Sequence, residues 1–581
     1  MSDDDFEIKP GRIRDRAAGQ RKARTLKAQL RALSNRAGHG GRSGRSGARR
    51  GTGRLARGRI ASLRATARAS QRRVIVKARI VRHRGSRFTA APLAQHLTYL
   101  KRDGVTRDGN NAELFGADRE PVDAKLFAER CADDRHHFRF IVSPEDAGEL
   151  ADVRIFTREL MTDMAEDLDT RLDWVAVDHW NTDNPHIHIL IRGKADDGRD
   201  LVIDRAYISE GMRARAEQRV TMELGARSEQ DIERTLNREI DANRWTSLDR
   251  RLQRMADDLG GVVDLRPDPH RTANPGNQHL IGRATKLERM ELADRISSGC
   301  WRLKPGFEQS LRDLAVRGDV IKTMHRAMTS QGLAAETGRF AMHDGAAPEP
   351  VIGRLVERGL HNELTGEAYA VIDGADGRVH HHKFSDIDMT GDAAPGGIVE
   401  LRTWTDRRGR EQSSLRTHSD LDLAAQQTAR GSTWLDKQLV ATEPLALGTG
   451  FGAEIEAAKT RRLEYLEAEG LAKRQGNRFV LSRNLLGALR DRDLAEAGTA
   501  LSREHNLPYR QGRPRGEVSG VYRGRIQLAS GRFAMIDDGL GFSLVPWSKQ
   551  LDRHLGQYVS GASRSGGGIE WTLGRSRGIE I

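Results

Sequence analysis

The sequence predicts an α+β protein: an antiparallel-sheet palm with helices, then a helical segment, then winged-helix-like and small β-barrel units. Three observations predict it. Signals from Gln71 to Gly193 run strand, helix, strand, helix, strand, strand, an order that suits a palm better than a doubly wound sheet. Beyond Leu201 the pattern turns helical, and the C-terminal half resembles itself.

The elements follow in order. QRRVIVKARIV (Gln71 to Val81) is a β-rich run ended by Gly85, and so a first strand. APLAQHLTYLKRDG carries Leu93, Leu97 and Leu100 at helical spacing, with Pro92 in the first turn and a stop at Asp103-Gly104. Its apolar stripe should face a core. HHFRFIVSPEDA (His136 to Ala147) is a strand ending in a helix start, and the amphipathic run from Asp146 to about Leu172 continues from it. LDWVAVDHW and HIHILIRG are two further strands, with turn-forming NTDNP between them.

In the C-terminal half, Leu287, Glu288, Leu292, Ala293 and Arg295 find counterparts at Leu466, Glu467, Leu471, Ala472 and Arg474. Each copy reads as a helix, a turn and a β-wing ending at Trp301-Arg-Leu303 or Phe479-Val-Leu481. A β-rich segment follows each, Gly353 to Gly374 resembling Gly524 to Gly539. The expected organisation is a basic disordered tail over 1–70, a nuclease-type palm over 71–205 and a helical accessory segment over 206–275. A winged-helix-like unit over 276–345, a β-rich unit over 346–430 and second copies over 431–510 and 511–581 complete it.

The 581 residues carry a net charge of +14 concentrated at the front: roughly two dozen Lys and Arg against Asp15 between Gly11 and Gly85. Arg59 and the Gly/Ser/Arg repetition before it have almost nothing to bury, so this stretch suits phosphate contacts through counterion release. Two cysteines, Cys131 and Cys300, fit a reducing, cytoplasmic setting. No apolar run approaches the ~20 residues of a membrane span, the acidic N-terminus is unlike a secretory signal, and membrane insertion is not expected. No GxxxxGK[ST] loop occurs, which excludes that class of ATPase or helicase.

The sharpest chemical signal is DHWNTDNPHIHILIRG. His186 and His188, two apart on a strand, project from one face while Ile187, Ile189 and Ile191 take the other. His179 ends the preceding strand and reaches the same point across the hairpin, so three neutral nitrogens can bind one divalent ion with positions left open. Asp183 is placed to orient a ligand histidine, with Asn184 beside it in the turn. His136 and His137 precede a strand and either face the cleft, where His136 would help position substrate, or end the strand. The run His380 to His382 looks like a second metal cluster, but consecutive strand residues alternate faces, which argues against three converging ligands.

The pattern H-x-N-T-D-N-P-H-I-H-I resembles the histidine-hydrophobe-histidine nuclease superfamily, and within it the MOBP-type conjugative relaxases, the agrobacterial T-DNA border nickase included. With HLTYLKRDGVTRDG and HHFRFIVSPEDA upstream, the likeness is to a relaxase subgroup with a long C-terminal domain of unknown function. It spans about Lys77 to Arg227 and, more loosely, most of the C-terminal half. The resemblance implies a DNA relaxase that nicks one strand at a transfer origin and leaves a 5′-phosphotyrosine, using Mg2+ or Mn2+. It implies single-stranded and duplex DNA, relaxosome accessory proteins and a type IV secretion coupling protein as partners, with translocation to a recipient cell attached to DNA.

Of seven tyrosines, Tyr99 lies in the motif where this family carries its nucleophile, beside Lys101 and Arg102, whose charges favour phosphate approach. Tyr207, directly after the last palm strand, is the runner-up. Asp178, Asp183 or a hydroxide on the ion are the candidate bases. Two other readings stand beside this one: a rolling-circle replication initiator or transposase of the same superfamily, and a non-catalytic DNA-binding regulator with a structural ion.

Overall fold

The computed structural model describes residues 71–83, 93, 96–97, 100–101, 107, 112–180, 185–266, 277–343, 349–476, 478–511, 517–563 and 568–572. The chain divides into two units, Met1–Arg238 and Glu239–Ile581. The fold is mixed α+β, with sheets that are antiparallel apart from one edge strand. No helix among the described residues is long and apolar enough to cross a membrane. The expected basic tail over 1–70 lies outside the described residues.

In the first unit β1 (Val74–Arg82), β2 (His136–Pro144), β3 (Trp174–His179) and β4 (His186–Arg192) form one antiparallel sheet in the order β1-β2-β4-β3. Helix α1 (Ala124–Arg130) is started by Asp123, whose carboxylate accepts the amides of Lys125 and Leu126. Asp152 does the same for α2 (Val153–Leu168), so this helix begins several residues later than the periodicity from Asp146 suggests. Helix α3 (Met212–Leu224) follows a π-turn at Tyr207–Gly211.

Strand alternation gives the sheet two buried faces. Phe138, Phe140, Ile187, Ile189 and Ile191 pack with Phe156, Leu160 and Met164 of α2 and with Met212 and Val220 of α3. Val175, Val177 and Leu190 point the other way and pack with Leu93, Leu97, Leu100 and Phe127. The expected stripe of leucines thus meets the sheet: positions 93, 96, 97 and 100 are helical, and all four side chains are buried. Fully burying one such leucine contributes about 1.5–3 kcal/mol, enough to hold this segment against the sheet.

The second unit runs through a series of elements twice. First come α4 (Glu229–Asp241, beginning in the first unit), α5 (Ser247–Asp258), β5 (Val262–Asp264), α6 (Asn277–Arg289), a hairpin β6 (Ala293–Ser297) and β7 (Cys300–Leu303), and long α7 (Phe307–Ser330). A six-stranded sheet follows, from β8 (Phe340–His343), β9 (Val351–Asn362), β10 (Glu367–Gly374), β11 (Val379–Phe384), β12 (Ile398–Thr405) and β13 (Glu411–Ser419). The second series is α8 (Leu423–Thr428), α9 (Trp434–Leu439), α10 (Phe451–Ala468), hairpin β14 (Ala472–Gln475) and β15 (Arg478–Leu481), and long α11 (Leu485–His505). Its sheet has five strands, β16 (Glu517–Leu528), β17 (Gly531–Asp537), β18 (Phe542–Pro546), β19 (Tyr558–Ser563) and β20 (Ile569–Thr572). Among the described residues the strand orders are linear, β13-β12-β9-β10-β11-β8 and β18-β17-β16-β19-β20, and neither closes into the small barrel expected from the sequence.

A buried polar clamp repeats in both copies. Arg283, fully buried on α6, donates from Nε and Nη2 to Asp249 at 2.8 and 2.9 Å and to the carbonyls of Ile240, Ala242 and Arg244. Arg462 on α10 does the same with Asp436 and the carbonyls of Gln427, Ala429 and Gly431. All five guanidinium N–H groups are used each time. Asp249 and Asp436 also close capping boxes with Thr246 and Thr433. The boundary expected at 275/276 therefore falls inside one packed unit, and the boundary at 430/431 cuts the second clamp.

The matched Glu288–Arg295 and Glu467–Arg474 pairs form ion pairs at 3.1 and 3.6 Å, with each arginine lying over Trp301 or Phe479. In the sheets one register differs from the sequence match. A Cβ at Gly353 would strike the Ile372 side chain and the Asp373 carbonyl, and one at Gly520 the equivalent atoms of Ile536 and Asp537. Gly353 therefore corresponds to Gly520 rather than Gly524.

Candidate metal centre

The β3–β4 register places His179 opposite His186 and Val177 opposite His188. Directly opposed residues share a face and alternate residues return to it, so all three imidazoles project from one side of the sheet. Their ring centroids lie 5.4, 4.6 and 4.9 Å apart. One nitrogen from each ring falls within 4.8 Å of the others, and the group can hold a metal ion. His179 and His188 are buried and His186 is half-buried.

The nitrogen spacing suits an ion. His186 Nε2 and His188 Nε2 are 3.1 Å apart. Ligand nitrogens at about 2.0–2.1 Å from one cation sit roughly 2.8–3.4 Å from each other, depending on whether the geometry is octahedral or tetrahedral. His179 Nε2 lies 2.8 Å from the Leu100 carbonyl. A carbonyl only accepts, so Nε2 carries the proton and the lone pair resides on Nδ1. This is the outer-shell bond that fixes a ligand histidine's tautomer and ring plane. The helical leucine segment thus supports the centre through its backbone as well as its side chains.

The remaining predicted residues separate. Tyr99, Arg102, Asp183 and Asn184 lie outside the described residues. Lys101 is half-buried, its amide donating to the Leu97 carbonyl. His136 is on the opposite face, with Nε2 donating to the Leu201 carbonyl at 2.9 Å and its ring edge-on to Phe138. Asp178 also points away from the three rings, accepting from Arg154 at 3.0 Å and Trp180 at 2.8 Å. Tyr207 is fully buried in the core beneath the other face; its hydroxyl donates to Asp167, and burial pushes its pKa up, making the phenol harder to ionise.

The sequence reading left His137 open and missed its partner. With Ile141 opposite His188, strand parity sets His137 and Arg139 on the histidine face. Arg139 Nε donates to His137 Nε2 at 3.0 Å, so His137 carries its proton on Nδ1 and donates it to His83 Nε2 at 2.7 Å. His83 Nδ1 then donates to the Asp134 carbonyl at 2.6 Å. Burial holds both rings neutral, well below the usual histidine range at His137. No spacing in the sequence links residue 83 to 137; only the β1–β2 register, Arg82 opposite His136, does so. The same register sets exposed Lys77 and half-buried Arg79 on this face, making it basic beside the histidines.

Sheet and cluster together define an α+β protein with a candidate three-histidine metal centre on an antiparallel hairpin. The chain belongs to the family described as protein of unknown function (DUF3363), whose model matches residues 280–408 and 402–580. The histidine centre lies outside the matched residues. No curated protein and no solved structure matches the chain.

Proposed function

We propose that this protein is a conjugative relaxase, a metal-dependent nuclease that nicks one DNA strand at a transfer origin by transesterification to a tyrosine. The observation that carries the reading is the convergence of His179, His186 and His188 on one point, with His179 held by the Leu100 carbonyl one residue from Tyr99. A divalent cation, Mg2+ or Mn2+, would be held by these three rings and would neutralise charge on the non-bridging phosphate oxygens. Three neutral nitrogens leave its charge undiminished, which is what a polyanionic substrate requires.

In this reading Tyr99 supplies the nucleophile. Its phenolic oxygen forms a bond to phosphorus as the bond to the 3′-oxygen breaks, and the phenolic proton ends on that oxygen. One phosphodiester replaces another, so positioning and charge neutralisation supply most of the catalysis. Lys77, Arg79 and Arg139 give the histidine face the charge to seat the strand's phosphates. The burial of Tyr207, the runner-up, and its bond to Asp167 favour Tyr99 over it. The repeated helix-and-hairpin series of the second unit are read as winged-helix units, and relaxosome proteins and a secretion coupling protein as partners in the cytoplasm.

The test incubates the full chain with single-stranded DNA containing a transfer-origin nick site and Mg2+ or Mn2+. A covalent adduct stable to denaturant is expected, lost in Tyr99→Phe and in His188→Ala. An adduct that persists in Tyr99→Phe rejects the nucleophile. No adduct with wild type across transfer-origin, replication-origin and transposon-end substrates favours a binding protein with a structural ion.

A further inference from the structure

The second unit carries a histidine cluster that the alternation argument against His380 to His382 does not dispose of. Alternation does put His381 on one face of β11, stacked on Tyr369 at 5.4 Å. His380 and His382 share the other face, and β8, parallel to β11, adds His343 opposite His382. The third member therefore comes from a neighbouring strand, 37 residues from His380. His380 Nε2 donates to Asp376 at 3.1 Å, which leaves its Nδ1 as the lone-pair nitrogen. His343 Nε2 lies 2.9 Å from that nitrogen. His382 is 4 % exposed, and neither of its ring nitrogens has a hydrogen-bond partner among the described residues.

Two features of this arrangement call for a ligand. A carboxylate, a histidine and an outward lone pair form the outer-shell pattern of metal-ligating imidazoles. A buried imidazole with both nitrogens unsatisfied forgoes hydrogen bonds worth about 1–3 kcal/mol per group. We propose that His343, His380 and His382 form a second metal site, for a borderline first-row cation such as Zn2+, with Asp376 orienting His380. Buried imidazoles with no substrate oxygens to complete the shell suit such a cation better than Mg2+ or Ca2+, which need oxygen ligands.

Binding moves the proton shared by His343 and His380 to His343 Nδ1, so both facing nitrogens present lone pairs and no net charge is lost. The His343–His382 centroid distance is 6.3 Å against 5.4 Å for the widest pair in the first cluster. His382 must therefore move toward the other two rings to reach a shared ion. The ion would pin β8, a four-residue parallel edge strand, to β11. The site is independent of the nuclease reading.

The test uses the full chain with His186→Ala and His188→Ala, which disables the first centre. After loading with Zn2+ and dialysis, mass spectrometry of the metal should find about one equivalent retained. Co2+ should give visible d–d absorption. Adding His343→Gln and His382→Gln should remove both signals while far-ultraviolet circular dichroism is unchanged, and Asp376→Asn should weaken affinity about tenfold or more. Retention of no ion by the His186→Ala/His188→Ala chain overturns the proposal, as does a Co2+ spectrum indifferent to His343→Gln and His382→Gln. If wild type and the His186→Ala/His188→Ala chain both hold one ion, this site stands and the first centre fails.

Discussion

Replacing Arg283 with methionine removes a guanidinium whose five N–H groups are all satisfied, while keeping the unbranched, apolar part of the side chain. Asp249, 0 % exposed, loses both bonds from Arg283 and keeps only those from Thr246. The carbonyls of Ile240, Ala242 and Arg244 lose a donor at the same time. Leaving one charge of a buried pair uncompensated costs about 3–5 kcal/mol, and three weakened carbonyls push the cost to the upper end of that range. Because the chain has more than one unit, a global unfolding curve would blur the effect. Peptide-resolved hydrogen exchange of the native protein reads it locally. At about 1.4 kcal/mol per decade, amides of α5 and α6 that exchange through opening of this unit should speed up by roughly two to three and a half decades. Arg462→Met should do the same to α9 and α10. A change below tenfold at either clamp, or equal acceleration across the β1–β4 sheet, refutes the claim that the clamps hold these helices together.

Three further outcomes follow from the first unit. Tyr207→Phe should lower thermal stability by about 1–2 kcal/mol, the value of one bond to a carboxylate that Arg215 still pairs, and leave adduct formation intact; loss of the adduct with the fold preserved would reinstate Tyr207 as nucleophile. Burial pushes the Cys131 thiol up to about 12, so native protein at pH 8 should leave it unalkylated by iodoacetamide while denatured protein reacts; mass mapping of the cysteine distinguishes the two. His137 is held neutral by burial in the folded chain but titrates near 6.5 when unfolded, so protons favour the unfolded state. The stability it contributes is complete above about pH 6.5 and is lost as pH falls toward its depressed folded value; His137→Gln should flatten the loss between pH 7 and 5 measured by thermal melts.

The four-stranded sheet was legible because its chemistry coincides with its periodicity. Ile187, Ile189 and Ile191 needed one face, and the register that buries them puts His186 and His188 on the other. His136 misled because the sequence does not say which residue of an adjacent pair shares parity with a strand elsewhere. Only the Ile141–His188 pairing selects His137. His83, the Leu100 carbonyl and the His343–His382 pairing were illegible for the same reason: each joins segments whose proximity is a property of the sheet.

The repeat shows what a sequence match does and does not preserve. The helix-to-hairpin match from Leu287 and Leu466 extends four residues upstream to Arg283 and Arg462. Their carboxylates are 34 residues away in the first copy and 26 in the second, so the connecting loop changed length while the clamp did not. A loop can vary because its length costs little, about 0.6 kcal/mol per doubling. The clamp cannot vary one residue at a time, since each single loss strands a buried charge or a buried carbonyl. Duplicated helices thus keep the arginine, the aspartate and the three carbonyl positions as a set. A relative of this chain in which one member has changed should have changed the others with it.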